Sequence, residues 1–349
     1  MKSNKIIQYR RHQLARQRYQ LKRSRKRYQQ TRQKRIFRWL TKSDVKEIKK
    51  KDKTKTKNHV APKNFSLINN TEKMLSYLHE SRKIIKDRKP INLDISRITK
   101  MTPDSIALVI STITNPLWNH KTIVKGNAPK DIRLRKEFVE SGFYNYVKSK
   151  IPVRSYENSL MHKETSKIVK PDIAGSAIDI ILNKQQLNDD EIDAVYTIFI
   201  ELMSNTLHHA DMEKFAVSNW WLYVSNENGK TCVTFVDLGV GIFKSIHVRN
   251  YFKAIGKSLK LIKNVDYVEE LLSGKIGSRI EKDNSIRGKG IPQIVKSSKL
   301  DCFKKFFIIS NDVKIDLKNN IYEGLENKFR GTFFYFELCQ TCNNTTNGN

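Results

Sequence analysis

The stretch N-D-D-E-I-D-A-V-Y-T-I-F-I-E-L-M-S-N-T-L-H-H-A, residues 188–210, predicts the helix around which the chain folds. At about 100° per residue its apolar side chains cover most of the circumference, which is typical of a helix buried on nearly all sides. Asn188 and Glu191 have the spacing of a capping box, so the helix should begin there.

One narrow polar seam interrupts the apolar surface of this helix. Glu201, Asn205 and His208 form it, at positions i, i+4 and i+7. A carboxylate and an amide one turn apart suit a hydrated divalent cation and a water to be activated, and a buried carboxylate needs such compensation. The alternative is a core helix whose polar seam forms hydrogen bonds with neighbouring loops. The sequence of this helix alone leaves both interpretations open.

Composition limits the class of protein. The 349 residues suffice for two domains or one large one, and the net charge of +31 with a pI near 9.9 predicts a polyanionic partner such as nucleic acid or an anionic membrane surface. The four cysteines are scattered, which favours reduced thiols and a cytoplasmic location. We expect no membrane span, because no run of about 18 apolar residues occurs, and the basic N-terminus lacks the apolar region of a secretory signal.

Most of the excess charge lies in residues 1–58, which form a basic N-terminal arm. By count the arm holds 23 Lys and Arg against three acids. It predicts a segment that is disordered or helical, with affinity for nucleic acid or another polyanion. Specific recognition of nucleic acid and a non-specific solubilising tail both remain open.

Residues 71–150 predict a small α/β domain. An amphipathic helix over 71–88 precedes a strand at 91–95, a helix at 104–114 capped by Thr102 and Pro103, a strand at 122–125 and a helix at 131–147. This order implies neighbouring parallel strands. The stretches I-N-L-D-I-S and E-S-G-F-Y-N-Y-V resemble the STAS-like modules that bacteria place beside ATP-binding domains. In antagonist modules of that type a phosphorylatable serine starts the first helix, where this chain has Thr102 and Ser105.

The C-terminal part predicts a second α/β domain at 155–340, followed by a loose tail at 341–349. A helix at 173–182 precedes the long helix. Strands at 215–225 and 231–236 should form a hairpin, because Asn228-Gly229 is a strong two-residue turn signal. A helix should follow at 242–255 and another from Pro292, and four more strands are expected at 303–310, 313–317, 320–324 and 331–338.

Three glycine elements follow the long helix. Asp237-x-Gly239-x-Gly241 ends a strand, where a carboxylate can accept from an exocyclic amine while glycine backbone approaches a flat ring. Arg287-Gly288-Lys289-Gly290 precedes a helix, whose N–H groups favour phosphate. Arg330-Gly331-Thr332 opens the last strand. Each element alone is weak, but their order is specific.

The order E-L-M-S-N-T-L-H-H, D-L-G-V-G, R-G-K-G and G-T resembles the four boxes of the GHKL ATPase superfamily over about 155–340. This resemblance implies an α/β sandwich of the Bergerat type, with one mixed sheet under a helical layer and ATP with Mg²⁺ between them. It also implies that Glu201 is the general base and that Asn205 binds the Mg²⁺.

The resemblance assigns the remaining boxes as well. Asp237 would bind adenine N6 with support from Thr332, Gly239 and Gly241 would shape the adenine wall, and His209 would pack. Gly288 and Gly290 would hold phosphate, and residues 242–287 would form the ATP lid. Its phosphate-facing candidates, together with the box that follows it, are Lys257, Lys275, Arg279, Arg287 and Lys289.

The chain also departs from parts of this superfamily. A phosphoacceptor-histidine helix and a topoisomerase transducer domain are missing from its pattern, and Cys339-x-x-Cys342 lacks the second pair that a zinc site needs. We therefore expect a regulatory switch similar to the anti-sigma kinases and their antagonists, with a protein partner, and a homodimer is left open. Its chemistry would be ATP hydrolysis or serine/threonine phosphotransfer. The alternative is a nucleic-acid-associated binding module in which ATP only switches conformation.

Overall fold

The computed structural model describes residues 56–87, 89–115, 122, 124–165, 168–210, 220–246, 263–276 and 290–339, with side chains of 207–210 left out. The predicted arm thus lies almost wholly outside the described residues. The strands are β1 (Lys57–Val60), β2 (Asn64–Phe65), β3 (Ile91–Asp94), β4 (Lys100–Met101), β5 (Val124–Gly126), β6 (Ser159–Glu164), β7 (Trp220–Glu227), β8 (Lys230–Asp237), β9 (Phe303–Asp316) and β10 (Ile321–Leu338). The helices are α1 (Thr71–Lys86), α2 (Pro103–Ile113), α3 (Ile132–Glu140), α4 (Pro171–Leu182), α5 (Asp189–Ala210), α6 (Ile242–Ser245), α7 (Val268–Leu272) and α8 (Gly290–Ser298).

The central element is a five-stranded sheet in the order β6-β7-β8-β10-β9. Every pair of neighbours is antiparallel, so the expectation of a mixed sheet is wrong for the described strands. Tight turns between β7 and β8 and between β9 and β10 set the direction of these two pairs, and the long-range pairs β6–β7 and β8–β10 are antiparallel as well. Asn228 and Gly229 both have positive φ, as the predicted two-residue hairpin requires.

The last two strands are longer than the sequence pattern predicts. The four expected strands merge into β9 and β10, which stay paired through register shifts between Gly324 and Phe329 and between Phe329 and Thr332. Asn311 lies where a break was expected and has a φ of +55°. Polar and glycine residues at these irregular positions look like loops in sequence, although the backbone remains in the sheet.

Helices α4, α5 and α8 cover one face of the sheet. Val195, Phe199 and Leu202 of α5 pack against Trp220 and Phe336 in one core cluster. The predicted capping box is confirmed, since Asn188 N donates to Glu191 Oε2 over 3.0 Å and Glu191 N donates to Asn188 Oδ1 over 2.9 Å. The buried helix expected from the sequence therefore lies on the sheet.

The opposite face of the same sheet is covered by the N-terminal part of the chain. Ile106 and Ile110 of α2 share a second core cluster with Trp221, Tyr223 and Tyr335 of the sheet. Residues from Thr56 onward fall into one compact unit. The large sheet thus has helices on both faces, which makes the fold mixed α/β in general.

The predicted parallel strands of the N-terminal part are confirmed. β1, β3 and β5 form a parallel sheet with β3 in the centre, and β2 pairs in parallel with β4. The sequence did not indicate β1, because it follows directly on the lysine-rich run. Helix α3 ends at Glu140, earlier than predicted, since Gly142 takes a φ of +78° there.

The helix expected at 242–255 is described only as α6, and residues 247–262 lie outside the described residues. Within the described ranges, no helix is both long and apolar enough to cross a membrane.

Candidate functional site

Glu201, Asn205 and Gly290 lie together where α5 meets the start of α8. Both polar side chains are half-buried on α5. A Cβ added to Gly290 would lie 2.7 Å from Glu201 Oε2 and 3.2 Å from Asn205 Oδ1. The acid and amide thus face the glycine that was expected to hold phosphate, although 89 residues along the chain separate Glu201 from Gly290.

The environment of Glu201 suits a proton acceptor. Burial raises the pKa of the Glu201 carboxyl, and no hydrogen bond to a described residue offsets it. A carboxylate whose pKa is moved toward neutral is a stronger base than an exposed one. The site therefore has one group able to accept a proton beside one neutral amide.

A second group of polar residues lies in one row across the sheet. Asp237 at the end of β8 pairs in register with Thr332 of β10, which pairs in turn with Ser310 of β9. Val233 and Phe235 of β8 belong to the cluster under α5. Because side chains alternate along a strand, Asp237 points to that same helix-covered face. The row thus faces the layer that carries Glu201.

Asp237 is a buried carboxyl with few partners. It is 7% exposed, and one carboxylate oxygen accepts from the backbone N–H of Gly239 over 2.9 Å. Burial raises its pKa to about 7, and only that hydrogen bond opposes the rise. A ligand that donates a hydrogen bond would therefore stabilise the ionised form of Asp237.

Two glycines near Asp237 are required by their positive φ angles and by close contacts with neighbouring atoms. A Cβ at Gly331, where φ is +103°, would overlap the carbonyl oxygen of Asp237. A Cβ at Gly241, where φ is +86°, would lie 2.5 Å from Asn311 Oδ1. Gly239 is held by the Asp237 side chain instead. These contacts fix the loop 238–241 against the end of the sheet.

Ser310 and Asn311 complete this arrangement and were missed by the sequence reasoning. Ser310 Oγ accepts from Ile242 N over 2.8 Å and donates to Gly331 O over 2.8 Å. Asn311 accepts from Phe243 N over 3.1 Å and donates to Val240 O over 3.0 Å. The only signal in the sequence is an asparagine inside an apolar strand pattern.

Several predicted residues lie outside the described part of the chain. They are Arg287, Gly288, Lys289, Lys257, Arg279 and the side chains of His208 and His209. Lys275 is described and exposed. The expected role of the lid is therefore still a prediction. Cys342 also lies outside the described residues, whereas Cys339 lies within them.

The described residues contain no group of three or more His, Cys, Asp or Glu side chains that could hold a metal ion by themselves. Asn205 could supply one amide oxygen of the kind that Mg²⁺ accepts, beside Gly290 at the start of α8. A Mg²⁺ ion there would take its remaining ligands from water and phosphate. The chain matches no protein-family model and no curated protein.

Proposed function

We propose that residues 155–340 bind ATP with Mg²⁺ and cleave its γ-phosphate. The observation that carries this proposal is the meeting of Glu201 and Asn205 with Gly290 at the start of α8. A proton acceptor, an amide ligand and a helix N-terminus then converge on one place, which is the combination that a metal–triphosphate requires. Mg²⁺ would supply neutralisation of the phosphate charge.

The base-binding end of the site is the row Asp237–Thr332. Adenine N6 would donate a hydrogen bond to the Asp237 carboxylate. The burial of this carboxylate supports the proposal, because among the described residues it accepts a hydrogen bond from Gly239 N alone. The Thr332 hydroxyl lies within 3.4 Å of Ser310 Oγ and is available to the same ligand.

The proposal also concerns the fold family. We infer that the large sheet with α4, α5 and α8 is a GHKL-type sandwich of the Bergerat class whose sheet is antiparallel instead of mixed. The parallel strands β1, β3 and β5 with α2 would then be the STAS-like module. Ser105 is fully buried and donates to Phe65 O over 2.7 Å. A modification of Ser105 would need local opening of α2.

A regulatory switch is the role that this arrangement supports best. The STAS-like module packs on the far face of the sheet that carries Asp237. A change at the nucleotide site and a change at a protein partner would then be transmitted through one sheet. In this proposal the partner is a regulatory protein. The phosphoacceptor is either water or a protein hydroxyl.

Incubation with ATP labelled at the γ-phosphate tests the proposal directly. Release of labelled phosphate would indicate an ATPase, and labelled protein would indicate a kinase. Both should require Mg²⁺ and should be lost in Asp237→Ala. Neither product, together with no binding of ATP by the folded protein, would reject the proposal.

A second candidate function rests on the charge of the N-terminal arm. Residues 1–58 carry a net charge of about +20, from 23 basic and three acidic residues. In this second candidate function nucleic acid binds the arm, and ATP changes only the conformation of the protein. The two candidates differ in whether ATP is turned over at all.

A further inference from the structure

The carboxyl ends of the parallel strands β1, β3 and β5 meet at one edge of the N-terminal part. Because the three strands run in the same direction, the segments that follow them lie side by side at this edge. Four exposed cations lie on these segments: Lys63 after β1, Arg97 and Lys100 after β3, and Lys130 after β5. We call these four residues the basic edge. None of them belongs to the proposed ATP site.

Main-chain hydrogen bonds fix the positions of the basic edge. Thr99 N and Lys100 N both donate to Lys63 O, over 2.9 Å and 3.2 Å. Lys130 N donates to Ser96 O over 3.1 Å. The segment 96–100 thus holds the segments after β1 and β5 on either side of it. The cations are therefore neighbours through the backbone of the fold, before any partner binds.

The positive charge of the basic edge is not neutralised by the protein. Within the described part of the chain, no ion pair joins any of its four cations to a carboxylate. Two carboxylates lie nearby with other partners. Asp94 accepts from Asn127 Nδ2 over 2.6 Å and from Ser96 N over 3.0 Å, and these bonds hold the pKa of its carboxyl well below the usual range. Asp131 accepts from Leu134 N over 3.0 Å at the start of α3. The edge thus favours an anionic partner.

Two apolar side chains are exposed beside these cations. Val60 ends β1 and is 47% exposed, and Ile132 begins α3 just after Lys130 and is 82% exposed. A nucleic-acid backbone would offer them only phosphate and sugar. A protein segment that carries both acidic and apolar side chains would pair with the cations and also remove these two side chains from water. The surface therefore fits an acidic protein segment better than nucleic acid.

We propose that the basic edge, together with Val60 and Ile132, is the docking surface for an acidic segment of a partner protein. This inference rests on the regulatory protein partner of the proposed function and names its chemistry, which is carboxylates around at least one apolar side chain. Complementary charge speeds association and rejects basic partners. The surface lies wholly within the compact unit Thr56–Asn349, so the basic arm is not needed to form it.

A fluorescein-labelled synthetic peptide in which Glu alternates with Leu and Ser is the probe. Its anisotropy is measured with the full chain, without ATP, at about 150 mM salt, where distant charges are screened. Lys63→Glu combined with Lys130→Glu should weaken binding roughly 10-fold or more, because attractive pairs become repulsive. The matched control is Lys57→Glu combined with Lys86→Glu, which makes the same charge change at the amino ends of the strands. It should change the affinity less than about 2-fold.

Hydrogen exchange locates the contact, because the basic arm also attracts an acidic peptide. The peptide should slow exchange at residues 60–63, 96–100 and 127–132 in wild type but not in the Lys63→Glu, Lys130→Glu variant. Ile132→Ser should weaken binding about 2- to 5-fold with an unchanged melting temperature, since the side chain is exposed. Equal affinity in the two double variants, or unchanged exchange at these segments in wild type, would overturn the proposal.

A thymidine oligonucleotide with the same number of charges tests the other class of polyanion. It should leave exchange at the basic edge unchanged. If it protected the same segments as strongly as the peptide, and equally in Ile132→Ser, the surface would belong to nucleic acid and the proposal would be overturned. Failure of the peptide to protect the edge of a protein that still turns over ATP would reject the docking surface alone. Protection by the peptide without any ATP binding would reject the nucleotide site alone.

Discussion

Glu201 is the residue whose chemistry the proposed function needs most. Replacing it by Gln keeps the size and polarity of the side chain but removes the proton acceptor. We expect Glu201→Gln to bind ATP with wild-type affinity and to lose roughly 10²–10⁴-fold in turnover. Single-turnover release of labelled phosphate measures this loss.

Glu191→Gln is the matched control on the same helix. Glu191 accepts from Asn188 N in the capping box, and glutamine keeps that contact. Its turnover should equal that of wild type. Wild-type hydrolysis in Glu201→Gln would show that Glu201 is not the base.

The raised pKa of Asp237 predicts how the stability of the fold changes with pH. Its pKa is about 7 in the folded protein, raised from 3.8 by burial. As pH rises from about 4 to about 7 the unfolded chain releases this proton first, so the folded wild type loses stability over that window. Asp237→Asn does not ionise. Relative to wild type, its free energy of unfolding should therefore increase by a few kcal/mol, on the order of 1.4 kcal/mol per pKa unit, across the window.

Denaturant unfolding of Asp237→Asn and wild type at several pH values between about 4 and 8 gives the difference. Asp193→Asn, at an exposed position on α5, controls for the loss of one negative charge. A difference between Asp237→Asn and wild type that stays constant with pH would contradict the assigned environment of Asp237.

At the scale of elements, the contact between α5 and α8 sets the geometry of the site. A Cβ at position 290 would meet the flexible end of the Glu201 side chain at 2.7 Å, so Gly290→Ala should displace the carboxylate without unfolding the protein. We expect turnover to fall roughly 10²-fold, as is typical of a misplaced catalytic group, with little change in melting temperature.

Gly175→Ala on α4 is the control for this substitution. A Cβ there meets nothing within 4 Å. Alanine should stabilise the helix by about 0.5–1 kcal/mol and leave turnover unchanged. Equal turnover in Gly290→Ala and wild type would show that the packing of Gly290 against Glu201 does not matter for the reaction.

Elements specified by short-range signals could be predicted from the sequence. The periodicity and capping box of α5, the Asn228-Gly229 hairpin and the parallel order of β3 and β5 are of this kind. The resemblance of the ordered glycine elements to the GHKL boxes implied that Gly290 lies near Glu201, and the two residues are neighbours in the structure. That they form one site stays a prediction.

Long-range pairing could not be predicted. Nothing local indicates that β10 lies between β8 and β9, or that Asn311 bonds to the loop 238–241 across 71 residues. The expected mixed sheet was wrong for the same reason, since the direction of the long-range pairs β6–β7 and β8–β10 has no local signal. The contact of Glu72 with Asn327 spans 255 residues and has no signature in sequence.

At the scale of the whole molecule, both faces of the large sheet are covered. Trp221, Tyr223, Phe333 and Tyr335 are buried against the N-terminal part. A fragment of residues 155–340 would expose these four aromatic side chains, each of roughly 150–250 Å². We expect this fragment to aggregate or to melt well below the full chain.

A chain of residues 56–349 is the control, because it keeps α1 and α2 over that face. It should melt cooperatively near the temperature of the full protein. If the fragment 155–340 were as stable as residues 56–349, the predicted domain at 155–340 would not need the N-terminal part for its stability.

The same control chain tests the basic arm. The full protein should bind a polyanion with affinity that falls roughly 10³-fold between about 50 and 200 mM salt, if about six phosphates are contacted. Residues 56–349 should lose this binding and keep ATP binding. Loss of both together would contradict a separate role for the arm.

Calorimetric titration of the full protein with Mg²⁺ and ATP is the most direct test of the central claim, that the α5 acid and amide, Gly290 and the Asp237 row enclose a metal-bound nucleotide. Measured at two temperatures, binding should be one to one, in the roughly micromolar to millimolar range of enzyme substrates, and absent in Asp237→Ala. No heat at either temperature, with circular dichroism showing folded protein, would contradict the account.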